Sequence, residues 1–169
     1  MKKPDPLLYD KVGGLLYTPA LNSRIGEKIA KHAIPQLRSV ALCLEDSVED
    51  SALSLAEQEL CNTLRQLERC EELPLVFVRV RTPQHLKKVH RMLGELSGML
   101  CGYVLPKFDL GNAERYLDLL YSFNAGRENE LFIMPILESG MVAGIHHRRE
   151  NLIQIKSLLD FISGVLAHR

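Results

Sequence analysis

The segment SVALCLEDSVED, residues 39–50, joins an apolar run directly to a pair of carboxylates. No polar side chain interrupts the run from Val40 to Leu44. Uninterrupted apolar runs of this length are typical of strands buried on both faces, as in a parallel sheet. Glu45 and Asp46 follow where this strand would end. Either acid alone is compatible with a cap for the next helix, whereas two adjacent acids raise the question of what else they hold.

Similar apolar runs recur along the chain, each closed by a polar residue or a turn signal. The predicted strands cover residues 14–20, 40–46, 73–81, 101–107 and 131–139. Amphipathic segments predict helices over residues 23–34, with Ser23 as N-cap, and over 50–70, 83–97, 113–123 and 140–167, the last broken near HHRRE. Five strand-helix units fit either a doubly wound open sheet or part of a (β/α)8 barrel. No GxGxxG or P-loop motif follows a strand, which disfavours a nucleotide-binding sheet.

Composition narrows the class of protein. The 169 residues are 46% hydrophobic and carry a formal net charge of zero, which predicts a single domain over residues 1–169 without a basic surface for nucleic acid. No apolar run approaches the ~18 residues of a membrane span, and the N-terminal MKKPDPLLYDKVGG lacks the apolar core of a secretory signal. We therefore expect a cytoplasmic protein without a membrane partner. The four cysteines show no zinc-site spacing and are expected to be free thiols.

Charged side chains lie at the C-terminal ends of four of the five predicted strands. In a parallel α/β fold the carboxyl ends of the strands meet at one edge, where active sites form. Taken singly, each side chain is compatible with a helix cap, a salt bridge or a solvated position. Their repetition at the same end of four strands favours a common site. In chain order, these residues are Glu45, Asp46, Arg79, Arg81, Lys107 and Glu138.

These groups suit one kind of chemistry. Carboxylate oxygens are hard ligands for Mg²⁺, which usually takes one or two protein carboxylates and keeps several waters. An arginine binds a substrate carboxylate through two parallel hydrogen bonds. A metal beside such an arginine would bind a 2-oxo acid and stabilise the negative oxygen formed when a bond next to a carbonyl is made or broken. The combination predicts an aldolase or lyase.

The motifs LYTPALNSRIGEKI, LCLEDSVED, VFVRVRT, YVLPK and MPILES resemble, in order and spacing, the citrate lyase β-subunit and malyl-CoA lyase family of the HpcH/HpaI aldolase superfamily. The resemblance implies a (β/α)8 barrel that uses Mg²⁺ to cleave or form C–C bonds in 2-hydroxy or 2-oxo acids, often as CoA thioesters. It further implies retro-aldol or retro-Claisen cleavage of a small carboxylic acid. By position, Glu138 would ligate Mg²⁺, while Glu45 and Asp46 would contact the water shell of the metal or polarise the reacting groups.

The resemblance also implies the binding residues. Arg79 would act in catalysis by binding the substrate carboxylate, Arg24 would lie near the phosphates of a CoA-like ligand, and Lys107 would line the rim. Two departures from the family pattern stand out. Cys43 occupies the place of a usual acid, and Arg81 replaces a frequent asparagine. The extra cation at Arg81 suits a second substrate carboxylate or a phosphate.

A third departure is length, because a complete barrel needs roughly 250 residues. The resemblance places the second metal carboxylate on a sixth strand, beyond Arg169. We therefore expect an incomplete barrel that binds Mg²⁺ weakly and, with unpaired edge strands, forms a homo-oligomer. A catalytically inactive truncated barrel that acts in assembly or partner binding is the alternative. A Schiff-base aldolase using Lys107 is a weaker one, since it needs a depressed lysine pKa.

Overall fold

The computed structural model describes residues 11–167, without the side chains of residues 161–167. Most of the N-terminal segment considered for a signal therefore lies outside the described residues. The strands are β1 (Leu15–Pro19), β2 (Ser39–Cys43), β3 (Leu75–Arg79), β4 (Gly102–Leu105) and β5 (Phe132–Pro135). The helices are α1 (Ile25–Ala30), α2 (Leu53–Leu67), α3 (Pro83–Leu93), α4 (Ala113–Asn124), α5 (Gly140–Ala143) and α6 (Arg148–Ala167).

The strand order decides between the two predicted architectures. Within the described residues the sheet has five strands in the order β1-β2-β3-β4-β5, and all four neighbouring pairs are parallel. A doubly wound sheet reverses its strand order at a switch point, whereas the wall of a (β/α)8 barrel keeps the sequence order. The chain is therefore part of a TIM barrel, as predicted, with β1 and β5 each paired on one side.

The two faces of the sheet bury different residues. One face packs on the helices in the main core, with Leu42, Val78 and Tyr103 fully buried there. The opposite face carries a small cluster around Ala41 and Phe77. This second face corresponds to the barrel interior. Because side chains alternate along a strand, the near-continuous apolar runs of the sequence follow from burial on both faces.

The helices agree with the predicted segments except at some ends. α1 is shorter than predicted: it spans Ile25–Ala30, its N-terminus has no side-chain cap, and His32 shortly after it has a φ of 49°. The predicted cap at Ser23 is therefore wrong. A 3₁₀ turn (Asp50–Ala52) precedes α2, and the long C-terminal helix is interrupted between α5 and α6, near HHRRE as expected.

Helix α3 shows how local signals set its ends. Thr82 caps its N-terminus by accepting a hydrogen bond from the His85 N–H at 3.1 Å, and Pro83 occupies the first turn. Gly94, with a φ of 53°, ends the helix in a conformation that favours glycine. Met92, an apolar residue in the last turn of this helix, is 37% exposed. No helix among the described residues has the length and apolar character needed to cross a bilayer.

Two histidines of α3, the buried His85 and the half-buried His90, have specific partners. His85 Nε2 lies 3.1 Å from Glu57 Oε1, and His90 Nδ1 lies 2.9 Å from the Tyr103 hydroxyl. Burial lowers the pKa of His85, an effect that Lys88 and Arg81 reinforce and Glu57 opposes. Burial, aided by the Arg127 charge, also lowers the pKa of His90. Both imidazoles are therefore neutral in the folded protein at neutral pH.

We expect the folded protein to lose stability on mild acidification. A lowered folded-state pKa means that, as pH falls, the unfolded chain binds these protons before the folded protein does. The stability that the neutral histidines contribute is therefore complete above the unfolded histidine pKa of about 6.5 and is lost as pH falls through the folded values. Urea unfolding between pH 7.5 and 5 measures this slope. The double variant His85→Gln/His90→Gln should flatten it, whereas His146→Gln, at an exposed position, should not. Equal slopes in all three proteins would contradict the assignment.

Candidate active site

Arg79 lies at the centre of a group of carboxylates at the C-terminal edge of the sheet. Its Nη2 is 2.6 Å from Glu45 Oε2, 2.9 Å from Asp46 Oδ2 and 3.1 Å from Glu138 Oε1. The Arg79 side chain is 12% exposed and that of Glu45 is 7% exposed. The predicted gathering of strand-end charges is confirmed for these four residues, and neither Glu45 nor Asp46 caps a helix.

Lys107 completes this cluster from the end of β4. Its Nζ lies 3.2 Å from Glu45 Oε1, and its backbone N–H donates to Glu138 Oε1 at 3.3 Å. Lys107 has a φ of 50°, which non-glycine residues rarely adopt and which concentrates at functional sites. The Asn112 side-chain amide donates to the Lys107 carbonyl at 2.8 Å and supports this conformation. We call these five residues, Glu45, Asp46, Arg79, Lys107 and Glu138, the charged cluster.

Side-chain alternation explains why these residues meet. Arg79 follows Phe77 by two positions on β3, so it extends the interior face of that strand. Glu45 lies four positions after Ala41 of β2, so it also extends the interior face of its strand. Glu138 is likewise four positions beyond Met134 of β5, which packs against the interior cluster. Because each of the three lies an even number of positions after an interior-facing residue, all three side chains are directed toward the barrel interior once the strands are parallel and in register.

The charges of this cluster shift the pKa values of Asp46, Arg79 and Lys107. Burial by itself lowers the pKa of the Arg79 guanidinium, but the surrounding carboxylates outweigh it and raise that pKa. A hydrogen-bonding interaction with Glu45, followed by the Arg79 and Lys107 charges, lowers the pKa of Asp46. The hydrogen bond and charge of Glu45 raise the pKa of Lys107. A lysine held in its ammonium form is a poor nucleophile, which argues against the Schiff-base alternative.

The donor set fits a hard divalent cation. Three carboxylates face two cationic side chains, which leaves an excess negative charge. Glu138 and Asp46 are the accessible members, at 39% and 63% exposure. Within the part of the chain that the structure describes, no three His, Cys, Asp or Glu side chains are grouped to hold a metal ion. Mg²⁺ retains most of its waters and takes one or two carboxylates, so these residues fit a largely hydrated magnesium ion.

The structure adds a site residue that the sequence reasoning missed. The Tyr17 ring on β1 lies 6.0 Å from Arg79 Cζ, within the range of a cation–π contact. Its place on β1, two positions before the strand ends, is the signal that would have indicated it. The Arg79 Nε is buried and has no hydrogen-bond partner within the part of the chain that the structure describes. A buried donor left unpaired is costly, so a ligand acceptor at Nε would be favoured.

Arg81 and Arg24 lie outside the charged cluster. Arg81, expected to bind substrate, directs its guanidinium to the carbonyls of Leu44 and Val48 and to the Asp50 carboxylate. Arg24 is exposed at the start of α1, and no hydrogen bond or ion pair between described residues joins it to the cluster. Cys43 is buried, and its Sγ accepts the Glu45 N–H at 3.4 Å.

The parallel barrel wall, with charged side chains at the carboxyl ends of its strands, places this chain in the class of TIM-barrel proteins. Within that class, the chain belongs to the C–C bond lyase family of the TIM-barrel fold, whose family model matches residues 6–169. No protein of curated function matches the sequence.

Solved structures are similar to this chain, among them three from Mycobacterium tuberculosis. CitE in complex with magnesium and acetate is 21% identical, with 80% of this chain and 48% of that chain covered and a TM-score of 0.50. A citrate lyase beta subunit complexed with oxaloacetate and magnesium is 23% identical, with 81% of this chain and 52% of that chain covered and a TM-score of 0.47. CitE in complex with magnesium and pyruvate is 22% identical, with 77% of this chain and 46% of that chain covered and a TM-score of 0.43. The chain spans about half the length of these structures.

Proposed function

We propose that this protein is a Mg²⁺-dependent lyase that cleaves or forms a carbon–carbon bond in a small 2-oxo or 2-hydroxy carboxylic acid. The observation that carries the proposal is the largely buried side chain of Arg79, which has three carboxylates on Nη2 and an Nε without a hydrogen-bond partner among the described residues. Membership of the C–C bond lyase family supports the reaction class. CitE, whose fold this chain shares, was crystallised with magnesium and acetate, a carboxylate.

Each residue of the charged cluster has a role in this proposal. Arg79 binds the substrate carboxylate, with Nε as the donor to which no described residue is hydrogen-bonded. Glu138 and Asp46, the exposed acids, would hold the magnesium ion directly or through its waters. Magnesium bound there would supply Lewis-acid stabilisation of the oxygen charge that develops beside the reacting carbon. Glu45, fixed between Arg79 and Lys107, orients both cations.

Further parts of the proposal concern the ligand and the assembly. A CoA thioester is one proposed form of the substrate, with exposed Arg24 as the contact for its phosphates. A homo-oligomer is proposed because the edge strands and the segments after them keep apolar side chains in water, including Tyr17 at 43% and Leu137 at 41% exposure. The same exposure favours the second candidate function, a catalytically inactive assembly protein. A wild-type protein that sediments as an oligomer and lacks lyase activity would support this candidate.

The test combines a binding and an activity measurement on the full chain. We expect Glu138→Gln to weaken Mg²⁺ binding by roughly tenfold or more, because it removes a charged ligand from a cation that protein carboxylates hold loosely. Calorimetry gives the affinity. Product release from a panel of 2-hydroxy acids, free and as CoA thioesters, gives the activity.

Glu128→Gln, at an exposed position, is the matched control and should leave the affinity and the rate unchanged. Wild-type-like Mg²⁺ affinity in Glu138→Gln would contradict the metal site. A wild-type protein that binds Mg²⁺ but acts on none of the panel would contradict the lyase assignment.

A further inference from the structure

Arg81 connects the end of β3 to the segment that follows β2. Its Nε donates to the Leu44 carbonyl at 2.7 Å, its Nη2 donates to the Val48 carbonyl, and its Nη1 pairs with the Asp50 carboxylate. Residues 44 and 48 bracket the turn that carries two acids of the charged cluster. One side chain therefore holds both ends of that turn.

The backbone of Arg81 is itself fixed by the interior of the protein. Its N–H donates to His85 Nδ1 at 3.1 Å, and the opposite ring nitrogen of His85 lies 3.1 Å from Glu57 Oε1. Because Nδ1 accepts, the proton of the neutral imidazole lies on Nε2 and is donated to Glu57. Glu57 is buried in α2 and also binds Lys88. The Arg81 side chain therefore extends from a backbone position that these contacts hold in place.

The turn between residues 44 and 48 has few hydrogen bonds of its own. The Val48 N–H donates to the Glu45 carbonyl at 3.0 Å, and the Asp46 N–H donates to Glu45 Oε2 at 3.0 Å. Three directed donors on one planar group match the two carbonyls and the carboxylate around Arg81. A lysine ammonium is a single flexible point charge without this fork.

We infer that Arg81 is a positioning residue that sets the placement of Glu45 and Asp46 against Arg79. Its effect on catalysis rests on the proposed function, whereas its effect on the turn does not. The contacts disfavour the substrate-binding role that the sequence suggested. All three nitrogens of the guanidinium already face protein acceptors, so a substrate carboxylate would first have to displace them.

Amide hydrogen exchange of the full chain, resolved by NMR, tests the placement. Arg81→Lys keeps the charge and loses the fork, and we expect exchange at Asp46 and Val48 to rise about tenfold or more while Val76 and Val78 in β3 stay unchanged. Arg115→Lys is the matched control, since Arg115 donates to the Gly111 carbonyl on an exposed surface. Unchanged exchange at Asp46 and Val48, or equal acceleration throughout β3, would overturn the inference.

Steady-state kinetics separates positioning from substrate binding. We expect Arg81→Lys to lower kcat by about tenfold with KM within about twofold, because misplaced carboxylates impair the reacting geometry rather than capture of the substrate. A raised KM with unchanged kcat would restore the substrate-binding role and overturn ours. If the wild-type chain shows no lyase activity, the proposed function fails, and the exchange rates alone decide whether Arg81 positions the turn.

Discussion

Replacing Arg79 by methionine is expected to lower the free energy of unfolding by about 3 kcal/mol at neutral pH, because it leaves the buried carboxylate of Glu45 with only the exposed Lys107 as its cation. Asp46 and Glu138 lose the same partner, so the three acids would repel one another. The proposed lyase activity should fall by about 10³-fold, since the donor for the substrate carboxylate is removed. Urea unfolding and the product-release assay measure the two effects.

The pH dependence of the Arg79→Met variant identifies the cause. The Arg79 charge helps to hold the pKa of the Asp46 carboxyl below its usual value, so the variant loses part of that lowering. The stability that a lowered carboxyl pKa contributes is present at neutral pH and is lost as pH falls through the folded-state value. Wild type and variant should therefore become more alike on acidification. Arg24→Met, which removes an exposed arginine, should cost less than about 0.5 kcal/mol. A constant difference between Arg79→Met and wild type across pH would refute the electrostatic explanation.

Replacing Gly102 by alanine is expected to disrupt the pairing of β4 with β5. A Cβ at Gly102 would lie 2.1 Å from the Phe132 carbonyl oxygen and 2.7 Å from its carbonyl carbon. Those atoms belong to the neighbouring strand backbone, so relief requires the two strands to separate. We expect a loss of about 3 kcal/mol, at the upper end of overpacking effects. Glu138, which follows β5, should lose its contacts with Arg79 and Lys107.

Gly98 offers a matched control for this variant. A Cβ at Gly98 has no neighbour within 4 Å, so Gly98→Ala should stay within about 0.5 kcal/mol of wild type. Urea unfolding gives the stabilities, and Mg²⁺ calorimetry reports whether Glu138 is still in place. Equal stability of Gly102→Ala and Gly98→Ala would show that β4 and β5 can separate without cost.

The sequence by itself determined the parallel strand-helix units and the edge that carries the site, whereas the strand order in the structure separated a barrel wall from an open sheet. Apolar runs separated by amphipathic helices impose parallel strands, and parallel strands place their carboxyl ends together. The parity of Glu45, Arg79 and Glu138 relative to their strands then directs them to one side. These features depend on local periodicity, which a single sequence displays directly.

The tertiary structure alone decided which charges pair. Arg79 and Arg81 are two residues apart and look equivalent in the sequence, yet Arg79 binds three acids of the cluster while Arg81 binds the turn after β2. The left-handed backbone conformation of Lys107 and the buried contact between His85 and Glu57 also cannot be read from the sequence. These contacts join residues far apart along the chain, so they depend on strand register, side-chain rotamers and the burial that makes an unpaired charge costly.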